Sequence, residues 1–198
     1  MTGIGWTESI RWLAVIGAML TAQQAEDGKW KLVQPPSTTV KFEMPTDPAI
    51  RRRVFPATEE TPEIVVDLYN SGSADGKISV VMSYYDLPTD PGNDALRQRM
   101  LGQAAQRTLV QMRGTPLLNE GQRFKGRFLS RSLIYLRIQN QRVYRIHTRL
   151  ILIDNRLYNL SVVALQDDFD QKLAERFFGS FEQVSDDYDL PPRPRRFR

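Results

Sequence analysis

The sequence predicts an α+β fold, an antiparallel β-sheet packed with amphipathic helices. Three observations carry that expectation. Residues 64–85 and 117–165 hold β-branched and aromatic side chains at period two or in short apolar runs, the pattern of half-buried and buried strands. The turn residues between those runs suit hairpins, which make neighbouring strands antiparallel. Residues 96–112 and 167–178 switch to helical spacing.

Taken in order, Val40, Phe42 and Met44 alternate with Lys41 and Glu43 until Pro45 stops the run, so a half-buried strand is expected there, with residues 51–55 as its partner. Ile64-Val65-Val66-Asp67-Leu68-Tyr69 is a second strand. The Asn, Ser and Gly residues of 70–76 tolerate positive φ and turn the chain, and residues 78–85 return. A loop with Pro88, Pro91 and Gly92 follows. In the next helix Leu96, Met100, Leu101, Ala104, Ala105, Leu109 and Met112 share one face, and Arg97, Gln98, Gln103, Gln106 and Arg107 the other. Asn93 or Asp94 is placed to cap its first amides, and Gly114 to end it. Breaks at Gly121, Lys125-Gly126, Gln139-Asn140-Gln141 and Asp154-Asn155-Arg156 divide the next stretch into a meander. The nearly continuous apolar run after Leu157 marks a strand in the centre of the sheet. A second helix over 167–178 turns Leu173, Phe177 and Phe178 inward, and Gly179-Ser180-Phe181 ends it.

The ends of the chain differ from this body. Arg11 precedes the uncharged run Trp12-Leu13-Ala14-Val15-Ile16-Gly17-Ala18-Met19-Leu20, and Thr21-Ala22-Gln23-Gln24-Ala25 follows. A positive flank, a short apolar core and a small-residue exit are the parts of a secretory signal peptide, and the run is too short for a membrane span, which needs about 20 apolar residues. Residues 1–25 therefore read as a signal peptide cleaved near Ala25, and the protein as exported, periplasmic or extracellular; the competing reading is a buried N-terminal helix of a cytoplasmic protein. Residues 26–184 form the α+β domain. Residues 185–198, rich in proline and arginine, read as a disordered tail.

The 198 residues are 41% hydrophobic and 25% charged, ordinary for a globular chain. With no cysteine and one histidine, disulfide frameworks, thiolate metal sites and multi-histidine zinc sites are excluded. A formal charge of +4 permits anionic partners without requiring them. No cofactor is indicated.

A resemblance adds to this reading. Trp30, Phe42-Glu43-Met44-Pro45, a hairpin ending Tyr84-Tyr85-Asp86-Leu87-Pro88, a helix, Gly126-Arg127, Asn155-Arg156-Leu157-Tyr158-Asn159-Leu160 and Phe178-Gly179-Ser180-Phe181 follow one another in an order that resembles the PsbP-like family, especially its small exported bacterial members. The resemblance covers roughly 30–184. It implies an α/β/α sandwich and a non-enzymatic role in binding or in the assembly of membrane complexes. Relatives often carry an acidic residue after the Gly-Arg pair, where this chain has Phe128. No catalytic residue transfers.

The chemical candidates are few. His147 lies beside Arg145 and Arg149, which oppose its protonation, and it reads as a structural or surface histidine. The alternative is a small hydrolase, or a metal- or ligand-binding protein, using His147 with Asp86 or Asp154. Asp86, Asp90 and Asp94 punctuate one loop, but their spacing lacks the alternation of a calcium loop, and turn and cap duties account for them; Asp167, Asp168 and Asp170 at the second helix read likewise. The basic residues carry the main hypothesis. Arg127, Arg131 and Arg137 share one strand parity, and Arg145, His147 and Arg149 another. If those strands pair, one sheet face bears a band of arginines with Tyr135 among them. Arginine's planar fork suits carboxylates and phosphates, so the expected contact is a protein partner or membrane complex in the cell envelope, or an anionic membrane surface. A cytoplasmic anion-binding protein is the alternative, and a solvated, salt-bridged face would explain the band without a partner. Nucleic acid is disfavoured, because it calls for a stronger basic field with stacking aromatics. Arg193, Arg195, Arg196 and Arg198 of the tail could assist at an anionic surface.

Overall fold

The computed structural model describes residues 30–36, 38–57 and 62–184. The signal-peptide and tail readings, including Arg193, Arg195, Arg196 and Arg198, fall outside the described residues.

The order of elements is β1 (Lys31–Val33), β2 (Val40–Met44), β3 (Ala49–Phe55), β4 (Ile64–Gly72), β5 (Ile78–Asp86), α1 (Asp94–Met112), β6 (Thr115–Phe124), β7 (Phe128–Gln139), β8 (Arg142–Ile153), β9 (Arg156–Leu165), α2 (Gln171–Ser180) and β10 (Glu182–Gln183). Seven strands form an antiparallel sheet in the order β3-β4-β5-β9-β8-β7-β6, and β1, β2 and β10 form a separate three-stranded sheet. The fold class is thus α+β, with helices packed on a large antiparallel sheet. β9 occupies the centre of that sheet and is buried along nearly its whole length, as its apolar run requires.

One face carries α1, whose Leu101, Ala105, Leu109 and Met112 pack on Leu133, Tyr135, Ile146 and Leu150. The other carries α2 and the small sheet: Phe42, Met44, Ala174, Phe177 and Phe181 meet Val80, Met82, Tyr158, Leu160 and Val162. Asn93 caps α1 by accepting from the Leu96 amide at 3.0 Å, and Asp170 caps α2 by accepting from the Lys172 and Leu173 amides at 2.8 and 3.1 Å. Each cap satisfies amides that the first turn leaves without partners.

Three expectations need correction. Residues 51–55 belong to β3 and pair with β4, not with β2. Proline at 45 and 48 ends β2 and carries the chain into the large sheet, where Thr46 is fixed by the Ser71 hydroxyl at 2.7 Å. Gly121 does not break the chain; it lies within β6 opposite Arg131, where a side chain would meet the Gln98 amide at 3.1 Å. The second helix starts later than expected, because Gln166–Asp168 form a single 3-10 turn and Asp170 then caps α2.

Candidate functional site

The turn between β7 and β8 decides where the arginines lie. Gln139 pairs with Arg142, so only Asn140 and Gln141 form the loop, both at positive φ (50° and 61°). Such turns match the right-handed twist of the flanking strands. A two-residue loop sets odd residues of β7 opposite even residues of β8: Arg131 faces Leu150, Tyr135 faces Ile146 and Arg137 faces Tyr144. Arg131, Tyr135 and Arg137 therefore lie on the α1 side, while Arg145, His147 and Arg149 lie on the α2 side. The expected single band is two sets, divided by the sheet. Arg127 belongs to neither, since it sits in the turn after Phe124, with its guanidinium 5.0 Å from the Phe128 ring centroid.

The α1-side set is engaged within the fold. Arg131 donates from Nε to Asn119 Oδ1 at 2.5 Å and from Nη2 to the Asn119 carbonyl at 3.3 Å. Tyr135 is fully buried, and Arg137 Nη1 lies 4.0 Å from Met112 Sδ.

The α2-side set is arranged differently. Arg145 donates from Nε to His147 Nε2 at 3.0 Å. The imidazole is 6% exposed and lies 4.1 Å, ring to ring, from Phe169, and Arg145 covers the same ring at 5.2 Å. Burial first, and the Arg145 charge second, lower the His147 pKa to about 4. His147 is thus a neutral acceptor that ties β8 to the segment before α2. The carboxylates proposed as its partners are elsewhere. Asp86 pairs in register with Arg156, which stands opposite Ile153, and Ile153 is six strand steps from His147, a span of about 20 Å. Asp154 is one residue further along.

Each loop carboxylate is bound to a cation: Asp86 to Arg156 at 2.6 Å, Asp90 to Arg97 at 3.1 Å and Asp94 to Arg123 at 2.8 Å. Asp168 meets Lys77 at 3.0 Å. Among the described residues, no group of three or more His, Asp or Glu side chains is placed to hold a metal ion.

Arg149 stands out on this face. Its guanidinium lies between the rings of Phe124 and Phe178, at 5.2 and 5.0 Å. Its Nε is buried without an acceptor, and no carboxylate among the described residues pairs with it. Burial lowers its pKa. Opposite it stands Ser132, whose hydroxyl accepts from the Gln122 side-chain amide; Ser130 donates to the Gln122 carbonyl at 3.0 Å. Nearby Lys125 and Lys41 both pair with Glu182, at 3.7 and 3.3 Å. Toward the far end of β7 the same face turns apolar, with half-buried Ile134 and Leu136 and exposed Ile138 (75%) and Val143 (37%). Phe124, Phe178, Ser132 and Gln122 were not legible as site residues. Only the register and the docking of α2 bring them to Arg149.

Comparison with known proteins yields structures alone: no family model and no curated protein sequence matches the chain. A crystal structure of LpqN, a Mycobacterium tuberculosis protein involved in cell envelope biogenesis, aligns at 14% identity and a TM-score of 0.44, over 79% of this chain and 91% of that one. The protein of unknown function PA94 from Pseudomonas aeruginosa aligns at 13% identity and 0.34, over 71% and 86%. A Bacteroides thetaiotaomicron structure aligns at 12% identity and 0.43, over 83% of this chain and 50% of its own.

Proposed function

We propose that this protein is a non-enzymatic binding or assembly module of the cell envelope, with a PsbP-like fold, exported by cleavage near Ala25. Its contact surface is the α2 side of β6-β7-β8, centred on Arg149, and its partner is a protein presenting a carboxylate beside apolar side chains. The observation that carries the reading is the unpaired state of Arg149. A guanidinium taken out of water costs free energy unless it gains a counter-charge. Two phenyl rings return part of that cost, but the buried Nε donor stays unmatched within the protein. A partner carboxylate would supply the missing counter-charge to the guanidinium, whose fork is already held in place. The apolar end formed by Ile134, Leu136, Ile138 and Val143 would add area next to that contact. The candidate imidazole, by contrast, is spent on Arg145 and Phe169, which supports a role without catalysis.

The test is in-cell crosslinking of the full chain, with mass spectrometry of its partners and of its own N-terminus, compared with Arg149→Met and Arg149→Glu. The reading expects a processed start near Glu26, envelope partners, and loss of those partners in both variants while thermal unfolding stays cooperative. An unprocessed start with cytoplasmic partners overturns export. Unchanged capture by both variants overturns the surface.

A further inference from the structure

A second surface, independent of Arg149, lies at the opposite edge of the large sheet. β3 ends that sheet, and its residues from Ile50 to Val54 are all exposed. Its two faces differ in chemistry. Ile50, Arg52 and Val54 stand opposite Tyr69, Asp67 and Val65, and Tyr69 belongs to the core on the α2 side. On that face Ile50 (63% exposed), Val54 (56%) and Val65 (38%) are apolar. Arg52 between them is engaged, because its Nε and Nη2 donate to the two oxygens of Asp67 at 2.6 and 2.9 Å. Asp67 also accepts from the Tyr84 hydroxyl at 3.0 Å, which lies 3.5 Å from the Pro36 carbonyl. Arg51 and Arg53 alternate with these residues. They stand opposite Leu68 and Val66, and so project to the α1 side. Both are exposed, and no carboxylate among the described residues pairs with either. Asp67 is the one acid of β4, and it faces the other way.

The strand is open to pairing along its length. The other edge strand, β6, carries Pro116, which has no N–H to donate, and its register with β7 shifts between Pro116 and Leu118. Prolines and bulges are common means of closing an edge. β3 has neither: it runs in unbroken register over Ala49–Phe55, and its prolines stand outside it, at 48 and 56. Those prolines frame an added strand to the 7 residues of β3, about 24 Å. The arginines decide what can be added. An antiparallel second copy of β3 with its faces matched sets Arg51 or Arg53 against an arginine in every register that pairs most of the strand, and like charges directly opposite are destabilising. A strand with acidic side chains at those positions meets two unpaired guanidiniums instead.

We infer that β3 captures an extended segment of another protein by strand addition. The segment is an antiparallel strand whose side chains alternate, acidic on the α1 side against Arg51 and Arg53 and aliphatic on the α2 side against Ile50, Val54 and Val65. Backbone hydrogen bonds along β3 hold it, and the two arginines exclude basic segments and second copies of β3. A slip by one residue would turn the acids onto the aliphatic strip, so the alternation also sets the register.

A fluorescent peptide of four valine–glutamate repeats presents this pattern, and one of four valine–lysine repeats presents its charge reverse. The full chain should bind the valine–glutamate peptide saturably and at least about tenfold more tightly than the valine–lysine peptide, with hydrogen exchange slowed in residues 49–55. Arg51→Glu combined with Arg53→Glu should invert the preference, a gain that an unfolded variant would not show. Methylating the amide nitrogens of the valine–glutamate peptide, which leaves its charges in place, should abolish binding. No saturable binding up to about 1 mM peptide overturns the inference. So does equal affinity for the two peptides, or binding that methylation leaves intact. Slowed exchange confined to β6, β7 and β8 overturns it in favour of the Arg149 surface. Exchange in residues 49–55 that slows with protein concentration alone overturns it in favour of a second copy.

Discussion

Arg145 and His147, two residues apart on one face of β8, share a hydrogen bond in which the arginine Nε donates to His147 Nε2 at 3.0 Å. The bond requires a neutral imidazole. Burial against Phe169 imposes the same state, and the histidine is held near pKa 4, against 6.5 in an unfolded chain. Because the folded protein resists protonation there, the unfolded state binds more protons between those two values. This contribution to stability is complete above about pH 6.5 and is lost progressively as pH falls toward 4. At about 1.4 kcal/mol per unit, the loss amounts to at most about 3 kcal/mol. Denaturant midpoints measured across pH 4–7 should fall with acid in the parent and much less steeply in His147→Gln, which keeps an acceptor for Arg145 but does not titrate. Equal slopes would show that His147 is not the group responsible.

The Arg149 clamp makes a separate prediction. If the guanidinium is kept for a partner, removing its charge while filling its space should cost the isolated protein little. Methionine packs well against aromatic rings, and it relieves the buried Nε. Arg149→Met should therefore change unfolding stability by less than about 1 kcal/mol, as measured in urea. Arg149→Glu places a carboxylate against two ring faces and should cost about 1–3 kcal/mol. A loss above about 2 kcal/mol in the methionine variant would assign Arg149 to holding α2 in place.

How much of this could be read in the sequence depends on which distances the chemistry spans. α1, its Asn93 cap, the β4–β5 hairpin and the central strand β9 follow from period and turn residues acting over a few positions. The arginine faces do not. Parity within β7 and within β8 was legible, but relating the two required the loop length, and Gln139-Asn140-Gln141 allows a loop of two residues or of three. A three-residue loop would have put Arg131, Arg137, Arg145 and Arg149 on one face; the two-residue loop sets them on opposite faces. Pairing of β3 with β4 was likewise hidden, because both candidate partners are good strands and the choice turns on the path after Pro45. The Phe124–Arg149–Phe178 clamp joins three elements through the docking of α2, for which no local signal exists.

Gly114 tests how tightly α1 is held to the sheet. It follows Arg113, which ends α1 in the left-handed conformation at φ 49°. A Cβ on Gly114 would come within 2.5 Å of Tyr135 Cδ2. The ring is fully buried, so either it or the end of α1 would have to move. Gly114→Ala should cost about 1–3 kcal/mol, the usual range for overpacking. Adding Tyr135→Leu should make the alanine nearly neutral relative to that background. An alanine substitution without cost in the parent would mean that the α1 terminus yields easily.

Asp86 and Arg156 close the β5–β9 ladder, where they are partners in register. Arg156 donates from Nε and Nη2 to the two carboxylate oxygens at 2.6 and 3.0 Å, and its guanidinium covers Tyr84 at 5.2 Å. Burial alone would lower the arginine pKa, but the hydrogen bonds and charge of Asp86 outweigh it and raise the pKa. The side chains are 13% and 33% exposed, so removing either partner leaves an unequal residue. Asp86→Asn strands the more buried charge and should cost about 2–4 kcal/mol; Arg156→Met leaves a carboxylate that water can reach and should cost about 1–2 kcal/mol. The double variant should be more stable than the sum of the single losses predicts, since neither charge is then left alone. Tyr84 lies beneath this pair and holds the Pro36 carbonyl and Asp67, so Asp86→Asn should also speed proteolysis near Pro36. Strict additivity of the two substitutions would show that the pair is not coupled and that Tyr84 is fixed by its ring contacts alone.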